Sequence, residues 1–311
     1  MFWLTIPQVR EHSITCITLP YHLGELLPTR AHLEQAIALY DPQQHHPLAL
    51  LYGGEDPGVV SLSFAAWTLW LLGYPAQARQ RTQEALTLAQ ALSHHYSLAL
   101  ALYFAAVLHQ SCREVQAAQA RLEALRVLSD AQRFLLWMAT GTVLRGWTLA
   151  EQGHRAEGIA QMSQGEAAYQ TTGAQIWWPY YRALLAEAYG QGGQTAQGLT
   201  VLDEAMAFMH KSEDRYYEAE LYRLKGVLLL QQAIPDTAQA ESCFQQARTI
   251  ARRQAAKSLE LRAAMSLARL WQQQGKCTEA HELLAPVYGW FTEGFDTADL
   301  QDAKALLEAL A

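Results

Sequence analysis

Charged residues are scarce in this chain of 311 residues, and so are the β-branched aliphatic residues. Only 17% of the positions are Asp, Glu, Lys or Arg, and Ile and Val together number 18. Because strands are enriched in β-branched residues, this shortage disfavours β and α/β folds. A net charge of −7 disfavours a nucleic-acid groove, since such grooves need clustered Lys and Arg.

The cysteines, histidines and glycines of this chain do not form any known catalytic, metal-binding or phosphate-binding motif. The four cysteines are scattered, without metal-ligand spacing or a disulfide framework: Cys16, Cys112, Cys243 and Cys277. None of the 11 histidines belongs to a His-Glu-x-x-His sequence. Gly275-Lys276-Cys277 is the nearest approach to a phosphate-binding loop, but it lacks the first glycine and the magnesium-binding hydroxyl. The sequence therefore predicts no enzyme activity, no cofactor and no metal site.

Long apolar runs of the membrane-spanning kind are also missing. Residues 57–78 and 85–112 carry no formal charge, but their apolar cores fall short of the roughly 20 residues that a spanning helix needs. The apolar first six residues contain no basic region of the kind that begins a signal peptide. We therefore expect a cytoplasmic protein with no membrane segment.

Alanine, leucine and glutamine are abundant instead, with 51, 47 and 30 residues respectively. These side chains keep their rotamer freedom in helices, so the composition predicts an all-α fold. Turn signals recur about every 40 residues along the chain. The second residues of these turns are Gly24, Gly73, Cys112, Gly153, Gly193, Pro235 and Gly275.

Small residues recur with the same period. Five residues after each turn stand Thr29, Ala78, Ala117, Gly158, Gly198, Ala240 and Ala280, and twelve after it stand Ala36, Ala85, Ala124, Gly165, Ala205, Ala247 and Val287. Small side chains allow crossing helices to approach to about 8–10 Å. The pattern resembles the tetratricopeptide repeat, lengthened from about 34 residues, and HEAT-like repeats are the structural alternative.

The sequence thus predicts a right-handed tetratricopeptide-like solenoid of about seven helical hairpins. Residues 1–18 are a poorly specified N-terminal segment, residues 19–295 hold the repeats with a long connection at 41–58, and residues 296–311 form a C-terminal capping helix. First helices are predicted near 59–72, 97–110, 134–151, 178–191, 216–232 and 258–274. Second helices are predicted near 28–40, 75–92, 114–129, 155–171, 195–211, 236–254 and 277–291.

The two ends of this solenoid are expected to differ. Asp296 is placed to cap the closing helix at its N-terminus. At the other end Pro20 interrupts a stretch of poor helix formers, so the helix near 28–40 lacks a good partner. Leu33, Ile37 and Leu39 would then be incompletely covered, and exposed apolar surface favours association. We therefore expect self-association through residues 1–52, or docking of this end onto a separately encoded ATPase arm.

Several stretches resemble one bacterial family. They are residues 40–45 (YDPQQH), 55–59 (EDPGV), 69–75 (LWLLGYP), 216–226 (YYEAELYRLKG), 256–264 (AKSLELRAA) and 284–297 (LAPVYGWFTEGFDT). Together they resemble the C-terminal tetratricopeptide-repeat region of large signalling proteins that carry a class III adenylate/guanylate cyclase domain and a STAND-type AAA ATPase. The resemblance covers roughly residues 19 to 311, and the last eighty or so are its most specific part.

The resemblance implies a non-catalytic scaffold that binds a protein, a peptide or a small effector. In an intact family member the repeats would be the sensory or regulatory arm, and the partner could be a cyclase or ATPase module. Two alternatives remain open. One is the repeat arm of a STAND-type transcriptional regulator, and the other is a truncated remnant of a cyclase protein without activity of its own.

The candidate binding residues are aromatic. Trp137, Trp177 and Tyr217 stand 40 residues apart, one per repeat, at the starts of three successive first helices. Neighbouring aromatic residues extend this column: Trp178, Tyr180, Tyr181 and Tyr216. First helices line the concave face of tetratricopeptide solenoids, so these residues could anchor a ligand in a groove. The alternative is that they pack successive repeats together.

Overall fold

The chain is a series of helical hairpins. The computed structural model describes residues 19–52 and 54–311, and within these ranges it contains helices and no strand. A short helical stretch at 19–22 precedes α1 (Leu26–Leu39), and α2 (Pro42–His45) with the 3-10 helix His46–Tyr52 leads to the first long hairpin. The predicted N-terminal segment, residues 1–18, lies outside the described residues.

Six hairpins of an inner and an outer helix follow. They are α3 (Pro57–Leu71) with α4 (Pro75–Ala91), α5 (His95–Ser111) with α6 (Val115–Gln132), α7 (Leu135–Glu151) with α8 (Arg155–Thr171), α9 (Trp178–Gln191) with α10 (Thr195–Ser212), α11 (Glu218–Leu230) with α12 (Thr237–Arg253), and α13 (Lys257–Gln273) with α14 (Cys277–Tyr288). Helix α15 (Ala298–Leu310) closes the series. The predicted all-α solenoid of helical hairpins is confirmed.

Turns within the hairpins use the left-handed backbone region. Gly73, Gly153 and Gly193 have φ values of 93°, 95° and 74°, a region in which glycine pays no steric penalty. The hairpin of α5 and α6 differs, because Arg113 rather than Cys112 takes the left-handed conformation, with φ 63°. Its repeat register is therefore one residue later than the turn spacing predicts.

Small residues lie where inner and outer helices cross. A Cβ atom added to Gly158 would stand 2.5 Å from the carbonyl oxygen of Gly146 on the facing helix, and one added to Gly165 would stand 2.6 Å from the amide nitrogen of Val143. These are backbone contacts that no rotamer change can relieve, so the close approach needs glycine. In the shifted hairpin the buried position is Ala118, not Ala117.

The expectations about the ends are met only in part. Leu33 is fully buried, against expectation, whereas Ile37 is half-buried and Leu39 is 59% exposed, as expected. Asp296 does not cap the closing helix, because Thr297 is the N-cap residue and the Asp296 carboxylate pairs with Arg79 instead, at 2.9 Å. The long connection is also more regular than predicted, because Asp41 caps α2 and Asp56 caps α3 through their side chains.

The last hairpin returns to the first. Inner helix α13 contacts inner helix α3, and the Ser258 hydroxyl donates a hydrogen bond to the Trp70 carbonyl oxygen. Just before α11, the Arg215 backbone N–H donates a hydrogen bond to the His22 carbonyl oxygen, at 2.6 Å, in the helical stretch that precedes α1. The first hairpins therefore contact the last ones, and we call this closed arrangement of the solenoid the ring.

Candidate functional site

Aromatic side chains fill one layer of the ring's interior. Six of the seven predicted binding residues lie there, and all six are buried: Trp137, Trp177, Tyr180, Tyr181, Tyr216 and Tyr217. Five further aromatic residues from the first repeats complete what we call the aromatic layer: Tyr21, Phe64, Trp67, Tyr103 and Phe104. The structure thus brings the predicted column together, as packing between repeats.

Ring contacts run continuously through the aromatic layer. The ring centroids of Tyr103 and Trp177 are 4.9 Å apart, and those of Tyr21 and Tyr216 are 4.8 Å apart. Trp67 contacts Tyr216 edge-on at 5.2 Å. Such pairs stabilise a core beyond the apolar area that they bury. They join residues that are more than 70 positions apart, so the layer ties the two sides of the ring together.

Few hydrogen bonds support this packing. The hydroxyl groups of Tyr103 and Tyr181 lie 2.8 Å apart, and the Tyr180 hydroxyl donates to Gln110 Oε1 at 2.8 Å. The indole N–H groups of Trp137 and Trp177 have no acceptor among the described residues. Shape and apolar contact, more than polar pairing, hold the aromatic layer.

Trp178 is the exception among the seven. Its side chain is only partly buried, and the Arg182 guanidinium lies 4.5 Å from the ring centroid. Phe208 on the outer helix α10 packs against it at 4.9 Å. Because its six companions are buried in the closed ring, Trp178 does not share an open groove with them in this conformation.

A polar layer lies beside the aromatic one. It surrounds a cavity of about 180 Å³ at the ends of α5, α7 and α9 and beside the middle of α11 and α13. Charged groups of both signs line this cavity: Arg113, Glu151, Glu187, Arg223, Arg262, Arg269, Asp299 and Asp302. Trp147, Gln110, Gln191 and Met265 are the other large side chains in its wall.

Arg262 is the centre of the polar layer. Its guanidinium donates to Asp299 Oδ2 at 2.7 Å and to the Ser111 carbonyl oxygen at 2.7 Å. It also lies 3.4 Å from Glu220 Oε1 and 5.0 Å from the ring centroid of Trp70. One side chain, 11% exposed, therefore links α3, α5, α11 and α15.

The carboxylates around Arg262 differ in how strongly nearby guanidinium groups stabilise their ionised form. Burial opposes the ionisation of Glu220, but the guanidinium groups of Arg223 and Arg262 outweigh it and lower its pKa. Glu187 faces the cavity, and its one ion-pair partner among the described residues is Arg223, at 3.9 Å. Burial raises the pKa of Glu187, and Arg223 offsets this only in part.

Sequence reasoning missed the polar layer entirely. Glu220, Arg223 and Arg262 lie within the stretches that resemble the signalling family, but charged residues on an amphipathic helix usually face solvent. The signal that could have found them is positional. Inner helices are buried nearly all round, so a charged residue in the middle of one needs a partner inside.

The described residues contain no candidate metal site. Within residues 19–52 and 54–311, no group of three or more His, Cys, Asp and Glu side chains is arranged to hold a metal ion. Cys112, Cys243 and Cys277 are free, burial raises the pKa of Cys112 to about 12, and Cys16 lies outside the described residues. No helix in the described part of the chain is long and apolar enough to cross a membrane.

One curated protein matches this chain at low sequence identity. No family model matches the chain. An uncharacterized protein of Rhizobium meliloti (strain 1021) is 25% identical over 231 residues, which is 71% of this chain and 22% of that protein. The chain therefore spans about a fifth of the length of the curated relative it matches.

Two solved structures were superposed on the chain. The apo form of RapI superposes with a TM-score of 0.56 at 10% identity, over 94% of this chain and 96% of RapI. Yeast Tom70 superposes with a TM-score of 0.48 at 14% identity, over 95% of this chain and 59% of Tom70. The likeness to RapI supports a tetratricopeptide-like helical-repeat fold for nearly the whole chain.

Proposed function

We propose that this chain is a non-catalytic helical-repeat scaffold that binds a protein or peptide partner. The observation that carries the proposal is the helical-repeat fold, which extends over nearly the whole described chain. Repeat arrays present large surfaces built from successive hairpins, and such surfaces suit macromolecular partners.

The finer proposal is a regulatory arm for a class III cyclase and STAND ATPase module. It is supported by the six stretches that resemble this family, among them residues 216–226 and 256–264. These two stretches contribute Glu220, Arg223 and Arg262 to the polar layer. The same residues that carry the resemblance thus lie at the centre of the ring.

A defined module can test this proposal. A cyclase–ATPase module encoded beside this chain, expressed without its own repeats, would be titrated with the purified chain while ATP hydrolysis and cyclic-nucleotide formation are measured. We expect a saturable change in the module's rate and no turnover by the chain alone. Turnover by the chain itself, or an unchanged module that shows no binding by calorimetry, would contradict the proposal.

The seven aromatic residues remain proposed partner contacts under one condition. Six of them are buried, so a partner could reach them only after the ring opens. Trp178 is partly exposed in the closed ring and could contact a partner without any opening. Trp178→Ala should therefore weaken binding to the closed form if this part of the proposal is right.

A further inference from the structure

The C-terminal segment meets the first two long hairpins along a contact that we call the seam. It joins residues 70–79 and 111–114 to residues 257–262 and 290–302. Glu293 Oε1 accepts hydrogen bonds from the backbone N–H groups of Ala76 at 2.9 Å and Gln77 at 3.1 Å. The N-cap residue of α4, Tyr74, offers no side-chain cap, so a carboxylate more than 200 positions away satisfies this helix end.

Ion pairs extend the seam on both sides of the cap. Arg79 pairs with Asp296 at 2.9 Å, and Arg113 pairs with Asp302 at 2.6 Å. Asp296 is 69% exposed, and the Arg113 and Asp302 side chains are 48% and 42% exposed. Charges this close to solvent are screened by salt, so their attraction depends on the medium.

Apolar contact across the seam is confined to one patch. Tyr74 meets Trp290 edge-on, with ring centroids 5.5 Å apart, Gly73 lies close to Trp290 and Phe291, and Pro75 lies close to Gly294. Helices that follow one another in the chain pack along their length, whereas α13 contacts α3 at few residues. The two sides of the seam are therefore joined by this patch together with the ion pairs and the hydrogen bonds of Ser258 and Arg262.

We infer that the seam is a switch, at which the ring opens when its charge pairs are weakened and closes when they form. Opening separates α13, α14 and α15 from α3, α4 and α5, with each hairpin still packed on its sequence neighbours. The agent that opens it is ionic: dissolved salt, or a partner that offers its own carboxylates to Arg79 and Arg113. The inference does not depend on the proposed partner, because opening can be measured on the chain alone.

The experiment compares charge variants of the full chain by small-angle scattering and hydrogen exchange. Arg79→Glu with Arg113→Glu should increase the radius of gyration and accelerate exchange at Ala76 and Gln77 about tenfold. Adding Asp296→Arg and Asp302→Arg, which restores opposite charges, should reverse both effects. In the unaltered chain, raising NaCl from about 0.05 M to about 1 M should act in the same direction as the double reversal.

Arg126→Glu is the matched control. Arg126 forms exposed ion pairs with Glu123 and Asp130 on α6, away from the seam, so its reversal should leave both measurements unchanged. Circular dichroism would show whether each variant keeps its helices. If the variant with Arg79→Glu and Arg113→Glu unfolds, Arg79→Gln with Arg113→Gln is used in its place. A folded double variant with the size and exchange of the unaltered chain would overturn the inference, and so would a fourfold variant that stays open.

Discussion

The two layers of the ring's interior are held together by different physics. The aromatic layer joins the hairpins through buried rings, and its Trp137 and Trp177 N–H groups have no acceptor among the described residues. In the polar layer most charged side chains form ion pairs, and a cavity of about 180 Å³ lies beside them. Close packing makes the first layer insensitive to the medium, while the second depends on pH and salt.

Because of this difference, we expect the two layers to respond differently to substitution. Apolar burial contributes most of the free energy of folding and has no alternative arrangement to adopt. Charge pairs at a partly wet boundary can exchange one partner for another at small cost. We therefore expect substitutions in the aromatic layer to change the free energy of unfolding, and substitutions in the polar layer to change the conformation of the ring as well.

The largest effect is expected from Trp177, with its neighbour Trp178 as the matched control. Trp177→Ala should lower the free energy of unfolding by about 3–5 kcal/mol, because Trp177 is 8% exposed and lies among Tyr103, Phe104 and Trp137. Trp178→Ala should cost about 1 kcal/mol, since Trp178 is partly exposed. Chemical denaturation of both variants measures the contrast. Equal losses would show that the aromatic layer is not the main support of the ring.

Much of the aromatic layer's position could be predicted from sequence. The predicted helices 134–151 and 195–211 correspond to Leu135–Glu151 and Thr195–Ser212, since local periodicity and turn chemistry fix such bounds. The 40-residue spacing of Trp137, Trp177 and Tyr217 placed these residues on one inner face. Whether that face is open or filled depends on how the hairpins stack.

Ring closure could not be predicted in the same way. The curvature of a solenoid follows from a small rotation per repeat, and small differences accumulate over six hairpins. Asp296 illustrates the consequence, because its local sequence predicts a helix cap while the closed ring brings Arg79 to it from the first hairpin. Arg262 likewise meets Ser111 and Asp299 only once the ring has closed.

A smaller effect is expected from Arg262, at the centre of the polar layer. Arg262→Met should lower the free energy of unfolding by about 2–4 kcal/mol, because Glu220 and Asp299 lose a buried partner. Arg126→Met removes an exposed pair and should change the free energy of unfolding far less. Denaturation gives both values, and hydrogen exchange at α3 and α13 reports opening of the ring. A loss below that of Arg126→Met would mean that other contacts bind the layer together.

The smallest effect is expected from Glu187, and it has the opposite sign. Burial raises the pKa of Glu187 above its ordinary value of 4.5, so the folded chain holds its proton more readily than the unfolded chain does. A group of this kind favours the fold most below pH 4.5, and this contribution is lost as the pH rises through the folded pKa.

Glu187→Gln should therefore stabilise the chain at pH 8, and the gain should shrink toward zero near pH 4. Because the Glu187 side chain is 36% exposed, solvent screens its charge, and we expect a gain of only about 0.5 kcal/mol. Paired denaturation curves at several pH values measure this difference, with Glu308→Gln on the exposed face of α15 as the control. A loss of stability at pH 8 would mean that the attraction of Arg223 exceeds the cost of burial, and that even the least supported carboxylate of the polar layer strengthens the ring.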